Sequence, residues 1–178
     1  FYDVGANVGM YSIFSSIVSE VTVFSFEPES NNFQVLMENI AINNLMNLIN
    51  PYPIGISNSS TLTNLHITDF KKGSSHHTVG EEALSHHLQP ITTPFRQGIF
   101  SATLNDLIEV YRLPCPNYLK IDVDGIEFKI IDQSDVLLNN KNLRSILIEI
   151  NSKREVDKNI INKLLSFGFM YNEDQVEN

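Results

Sequence analysis

Short apolar runs alternate along the chain with longer stretches in which apolar side chains recur at helical spacing. Residues 1–4 read as the end of a strand, and residues 21–26 are mostly β-branched and aromatic, the composition of a strand buried on both faces. Residues 48–56, 117–123 and 145–150 read as further strands, and 169–171 as the start of a sixth. Between them, residues 10–18, 104–111, 126–138 and 156–167 read as helices, as does the stretch carrying Phe33, Leu36, Met37 and Ile40 and ending near Asn43–Asn44. Ser30 is the expected N-cap of that helix, and Gly168 the stop of the last. Residues 61–67 alternate and predict an edge strand. Residues 69–98, rich in His, Ser, Thr, Gly and Pro, predict a long loop, a substrate-side lid. Strand–helix alternation of this kind predicts an α/β domain with a mostly parallel sheet flanked by helices. No Pro-, Gly- or Ser-rich linker divides the chain, so residues 1–178 read as one domain. The first strand opens at Phe1 and the last begins only at Phe169, so the domain reads as truncated at both ends.

Composition narrows the function classes. Twelve basic against twenty-one acidic residues give a net charge of −9. A surface of that sign repels phosphate backbones and argues against a nucleic-acid binder. No apolar run approaches the roughly 20 residues of a membrane span. The single cysteine, Cys115, cannot form an internal disulfide, which points to a reducing, cytoplasmic setting. Flanked by two prolines and lacking an activating neighbour in sequence, it reads as a small loop residue.

The first turn, Asp3-Val4-Gly5-Ala6-Asn7-Val8-Gly9, runs from a strand through Gly-x-x-x-Gly into a helix. Gly5 permits a tight turn and leaves bare backbone beside a ligand; Gly9 lets the helix pack closely. Asn7 reads as an N-cap or as an amide offered to a ligand. A nicotinamide enzyme would carry Gly-x-Gly-x-x-Gly to embrace a diphosphate; Asn7 stands at the middle glycine, so the turn suits a nucleoside without one. Glu27 follows Gly5 by 22 residues, at the tip of the second strand. A carboxylate there accepts hydrogen bonds from both hydroxyls of a ribose.

Residues 119–127, Leu-Lys-Ile-Asp-Val-Asp-Gly-Ile-Glu, set three carboxylates at the carboxyl end of a central strand, the edge where open parallel sheets bind ligands. Alternation sends Asp122 and Asp124 to one side if the strand reaches that far. Asp124 alternatively caps the next helix, with Glu127 reaching back as in a capping box. An Asp-x-Asp metal site of a sugar-nucleotide glycosyltransferase is the rival reading of Asp122-Val123-Asp124, and a non-catalytic cofactor-binding module is another. A calcium loop fails for want of ligands ahead of Gly125 and of a glutamate six residues beyond it. The pairs His76-His77 and His86-His87 read as polar loop histidines, one of them a candidate base, rather than as a metal set; His66 reads as structural.

Three stretches, Asp-Val-Gly-Ala-Asn-Val-Gly, Phe-Glu-Pro and Leu-Lys-Ile-Asp-Val-Asp-Gly-Ile-Glu, together with the helix ending Asn-Ile-Ala-Ile-Asn-Asn, resemble the signatures of FkbM-type methyltransferases. The third is the most family-specific. Two positions depart from the family pattern: Asn105 follows Thr103-Leu104 where an aspartate is usual, and Asp124 stands where a glutamate is common. The resemblance implies a Rossmann-like class I methyltransferase fold with a seven-stranded sheet. It implies S-adenosyl-L-methionine as methyl donor and a hydroxyl on a sugar, glycan, lipid or other small molecule as acceptor. By position, Asp3, Gly5, Asn7 and Gly9 would serve the methionine part of the donor, Glu27 the ribose, and Asp122 the region of the methyl group, with Asp122 or Asp124 as catalytic base.

Overall fold

The computed structural model describes residues 1–75, 77–80, 92–151 and 154–172. Five strands form a wholly parallel sheet: β1 (Tyr2–Val4), β2 (Val23–Phe26), β3 (Ile49–Tyr52), β8 (Tyr118–Ile121) and β9 (Ser145–Ile148), in the order β3-β2-β1-β8-β9. Among the described residues the parallel sheet therefore has five strands, not seven. Residues 169–172 form no strand. Chain order reverses between β1 and β8, which makes the crevice between their carboxyl ends the switch point at which such sheets bind ligands.

Alternation along the strands divides the sheet into two faces. Tyr2 and Val4, Phe24 and Phe26, and Leu119 and Ile121 lie in register on one face. They form the main core with residues of α3 (Leu104–Glu109), α4 (Glu127–Asp132), α5 (Asp135–Leu138) and α6 (Glu155–Ser166). On the other face α1 (Met10–Ser19) and α2 (Ser30–Ile42) cover β1 to β3, with Leu36 and Ile40 of α2 packed on Val23 and Ile49. The sheet's rung on that side is polar: Ser25, Asp3 and Lys120 stand side by side on β2, β1 and β8. Accordingly α1 buries Ser12 and Ser16 and leaves Met10, Phe14, Ile17 and Val18 exposed. Ser12 Oγ donates to Asp3 Oδ2 at 2.6 Å and lies 2.7 Å from Ser25 Oγ.

A second, four-stranded sheet stands over the carboxyl edge of the first. Its order is β4 (Gly55–Ile56), β7 (Phe95–Ala102), β5 (Thr61–Ile67), β6 (Thr78–Val79). Residues 48–56 thus split into two strands of different sheets. Pro51 is tolerated because β3 lies at the edge, and Pro53 ends the pairing. β5 is not an edge strand: it pairs antiparallel with β7 over seven residues and with β6 on its other side. The loop expected over 69–98 contains β6 and the first half of β7. Leu65, Ile67, Val79 and Ile99 pack this small sheet on Ile126 and Val123, beside the switch point.

Three local expectations need correction. The cap of α2 is Glu29, whose side chain accepts from Asn32 N at 2.7 Å, and not Ser30. The helix expected over 126–138 breaks at Gln133–Ser134, where Ser134 Oγ donates to the Ile130 carbonyl at 2.6 Å. β8 ends at Ile121, so strand alternation does not govern Asp122 and Asp124. Gly168 does end α6, at φ +87°. Among the described residues no helix is long and apolar enough to cross a membrane.

Candidate functional site

At the switch point the structure holds a small cleft, partly open to solvent, lined among others by Gly5, Asn7, Glu27, Ser74, Asp122 and Asp124. Gly5 leaves β1 at φ +75°. A Cβ there would stand 1.9 Å from the Asp122 carbonyl oxygen. The bare backbone of Gly5 thus serves the close approach of the β1 and β8 tips, which shapes the floor of the cleft. Asn7 follows in the left-handed region at φ +50° and does not cap α1; that position is Gly9. Its Nδ2 donates to the Ser74 carbonyl at 3.3 Å, while its Oδ1 is buried with no hydrogen-bond partner. A buried acceptor left unpaired costs roughly 1–3 kcal/mol unless a ligand satisfies it.

Glu27 stands opposite, 6% exposed, at the tip of β2. Its Oε2 accepts from Asn7 N at 2.8 Å and its Oε1 from Glu29 N at 2.9 Å. Burial pushes its carboxyl up to about 7, against the pull of those two amides. Each oxygen keeps a lone pair for a further donor. Gln97 of β7 holds this turn from above: its Nε2 donates to the Pro28 carbonyl at 2.6 Å and its Oε1 accepts from Ser30 N at 3.1 Å. Asn32, 2% exposed on α2, fastens the other wall. Its Nδ2 donates to the Ser74 carbonyl at 2.9 Å and its Oδ1 accepts from Gly73 N at 2.7 Å.

Asp122 follows β8 directly and keeps its side chain 47% exposed at the cleft. Asp124 lines the same cleft with φ +60°. It is not the cap of α4. Glu127 itself reaches back, its Oε1 accepting from Val123 N and Gly125 N, each at 3.1 Å. Burial raises the Glu127 carboxyl, and those amides oppose the shift. Arg154, at the start of α6, donates from Nη2 to the Gly125 carbonyl at 2.8 Å and so holds the turn from behind. Glu149, just past β9, is pushed up to about 7 by partial burial and by the charge and hydrogen bond of Asp122.

Of the residues singled out in the sequence, Gly5, Asn7, Glu27, Asp122 and Asp124 converge on this one cleft. Asp3 does not reach it. It is fully buried beneath the turn, bonded to Ser12 and facing Lys120 Nζ at 3.4 Å. Gly9 does not line it either. At φ +94° a Cβ on Gly9 would stand 2.5 Å from Leu36 Cδ1, so its small size serves the contact of α1 with α2. His77 lines the cleft; His76, His86 and His87 lie outside the described residues. His66 is structural, with Nε2 3.1 Å from the Gly80 carbonyl. Cys115 is a free, half-buried loop thiol raised by burial.

Lys120, Asn32, Ser74, Gln97 and Glu149 were not expected at the site. A signal existed for Lys120: a charge two residues before Asp122, inside an otherwise apolar strand, must find a partner. None existed for Asn32 and Ser74, brought together from 42 residues apart.

Residues 3–171 match the family described as Methyltransferase FkbM domain. Among characterised proteins, the chain is 26% identical over 165 residues to the hexuronic acid methyltransferase AglP of Haloferax volcanii, covering 93% of this chain and 60% of that protein. Among solved structures, it resembles the methyltransferase FkbM of Methylobacillus flagellatus KT with a TM-score of 0.61 at 17% identity, over 93% of this chain and 36% of that one. The chain thus spans less than two thirds of the length of either.

Proposed function

The chain belongs to the FkbM methyltransferase domain family, and we propose that it transfers a methyl group from S-adenosyl-L-methionine to a hydroxyl oxygen of a sugar or glycan. The observation that carries the donor assignment is the pairing of Glu27 and Asn7 across the switch-point cleft. Glu27 offers two carboxylate oxygens where a ribose diol would lie. Asn7 offers a buried acceptor with no partner, suited to an ammonium donor such as that of the methionine moiety. A nucleoside that carries an amino acid and no diphosphate fits that donor set. The sugar acceptor is supported by the relative that acts on a hexuronic acid; Asp122 and Asp124 as the machinery are supported by their place in the cleft.

When bound, the donor would supply a methyl carbon attached to a positively charged sulfur, which keeps the electrons of the broken C–S bond and leaves as a neutral thioether. The protein's part is alignment and proton management. The Gly5 turn and the Ser74 segment wall the cleft on two sides. Asp122 presents a carboxylate at its mouth, where it can accept the proton released from the acceptor hydroxyl as the new C–O bond forms. Asp124 is the alternative acceptor of that proton. Base assistance of this kind contributes roughly 10²–10⁴-fold.

Calorimetry with S-adenosylhomocysteine tests the donor site. The wild-type chain is expected to bind it and Glu27→Ala to bind at least about tenfold more weakly, two lost charge-assisted hydrogen bonds being worth more than 1.4 kcal/mol. Equal binding by the two proteins would exclude Glu27 as the ribose ligand. Transfer of labelled methyl from S-adenosylmethionine to uronic-acid glycans, compared with neutral glycans, then tests the acceptor.

A further inference from the structure

The polar rung under α1 carries one buried cation. Lys120 is 4% exposed, on a strand whose neighbours Leu119 and Ile121 are core residues. A lysine held that deeply needs full compensation. Its Nζ makes one hydrogen bond and two ion-pair contacts. The Gly5 carbonyl lies at 2.8 Å, Asp3 Oδ1 at 3.4 Å and Asp122 Oδ2 at 3.3 Å. The Tyr11 ring closes the fourth side, its centroid 5.3 Å away.

These contacts differ in what they join. Asp3 is fully buried and fastened by Ser12, so it anchors the ammonium and cannot itself meet a ligand. Gly5 is the pivot of the cradle turn. Asp122 is the only one of the three whose side chain opens into the cleft. Two carboxylates against one ammonium leave a net charge of −1 on the group. The buried member is held by Ser12 and Lys120, so the uncompensated charge faces the cleft at Asp122. We propose that Lys120 is the positioning residue of the site: from beneath the sheet tips it fixes the Asp122 carboxylate in one orientation at the cleft and ties that orientation to the Gly5 turn. The proposal rests on the reading of Asp122 as part of the transfer site, and it adds a residue that never touches substrate.

The groups around Asp122 set the conditions of a test: Lys120 from below, itself paired with Asp3, and Glu149 just past β9, which also feels the charges of Asp124 and Glu127. At pH 8 Glu149 is ionised and repels Asp122, so Lys120 is then the one cation of this group holding it. The measurement is the side-chain rotamer of Asp122 by NMR coupling constants at pH 8 in the ligand-free protein. Lys120→Gln strands the buried Asp3 carboxylate and is expected to be strongly destabilised. Asp3→Asn combined with Lys120→Gln removes both buried charges and keeps the test open.

Wild type and Asp3→Asn alone are expected to show a single Asp122 rotamer, and the combined variant an averaged one. A single rotamer in the combined variant overturns the proposal. So does averaging in Asp3→Asn alone, which would assign the ordering to Asp3. In turnover on a uronic-acid glycan, the combined variant is expected to lose about tenfold to hundredfold in kcat, with donor KM within about threefold. A parallel rise in donor KM would mean a general loosening of the cleft and would count against positioning. Failure of the wild type to bind S-adenosylhomocysteine would sink the donor reading while leaving the rotamer result to stand.

Discussion

Glu27 concentrates the chemistry of the cleft in one titration. Its carboxyl is raised to about 7 by burial, so the folded protein holds that proton more tightly than the unfolded chain does. The linked stability is fully present below about pH 4.5 and is lost as pH rises through about 7. The window from 4.5 to 7 corresponds to about 3 kcal/mol at most. Urea midpoints of the ligand-free chain are expected to fall across that window, and Glu27→Gln is expected to lack that component of the slope. A ribose diol needs the ionised form as acceptor. Affinity for S-adenosylhomocysteine should therefore rise about tenfold between pH 6 and pH 8, as the ionised fraction grows. A flat affinity profile over that range would separate Glu27 from the diol. Gly5 makes the complementary point about space. Its φ of +75° and the Asp122 carbonyl 1.9 Å from the position of a Cβ leave no room for a side chain. Gly5→Ala should cost well over about 1 kcal/mol by urea denaturation.

At the scale of elements, the turn from β8 into α4 shows how the carboxylates of one short stretch take different tasks. Glu127 is buried and spends its Oε1 on two backbone N–H groups, which fixes the loop that carries Asp122 and Asp124. Glu127→Ala strands both donors, at roughly 1–3 kcal/mol each, whereas Glu127→Gln keeps an acceptor oxygen and should cost less than Glu127→Ala. Equal urea midpoints for wild type and Glu127→Ala would show that the turn is held by Arg154 instead. The capping-box pattern made a reach-back by Glu127 legible, although the amides it binds are those of Val123 and Gly125 and Asp124 is not the cap. It did not show which residue begins the helix, because the left-handed φ of +60° at Asp124 belongs to the loop and carries no periodicity. The same limit explains α1. Its apolar positions form a stripe, yet the helix buries Ser12 and Ser16, because Asp3, Ser25 and Lys120 across the sheet require hydroxyls and not methyl groups. β2, β8 and Glu27 were readable from composition and spacing. Of the second sheet only β5 was legible, from its alternation: β4 and β6 are two residues each, and β7 finds its partner β5 far back in the chain.

Across the whole molecule the cleft is assembled from both sheets: the turn after β1, the tips of β2 and β8, the Ser74 segment, and Gly55, Leu65 and Val79 of the second sheet. No one of these packs a ligand alone, so a bound donor would couple the parallel sheet to the small sheet above it. Binding to the folded state alone stabilises it by about 2.7 kcal/mol at a ligand concentration 100 times Kd. For a chain of 178 residues that amounts to a rise in Tm of roughly 5–11 °C. S-adenosylhomocysteine at such a concentration is expected to produce a shift of this size, measured by calorimetric scanning at pH 8. The shift should be smaller at pH 6 at the same ligand concentration, because protonated Glu27 gives up one acceptor. Asn32→Ala should reduce it as well, although Asn32 does not contact the Glu27 carboxylate, since it removes the clamp on Gly73 and Ser74 that closes the wall opposite. A full shift in Asn32→Ala would mean that the clamp on Gly73 and Ser74 takes no part in enclosing the donor.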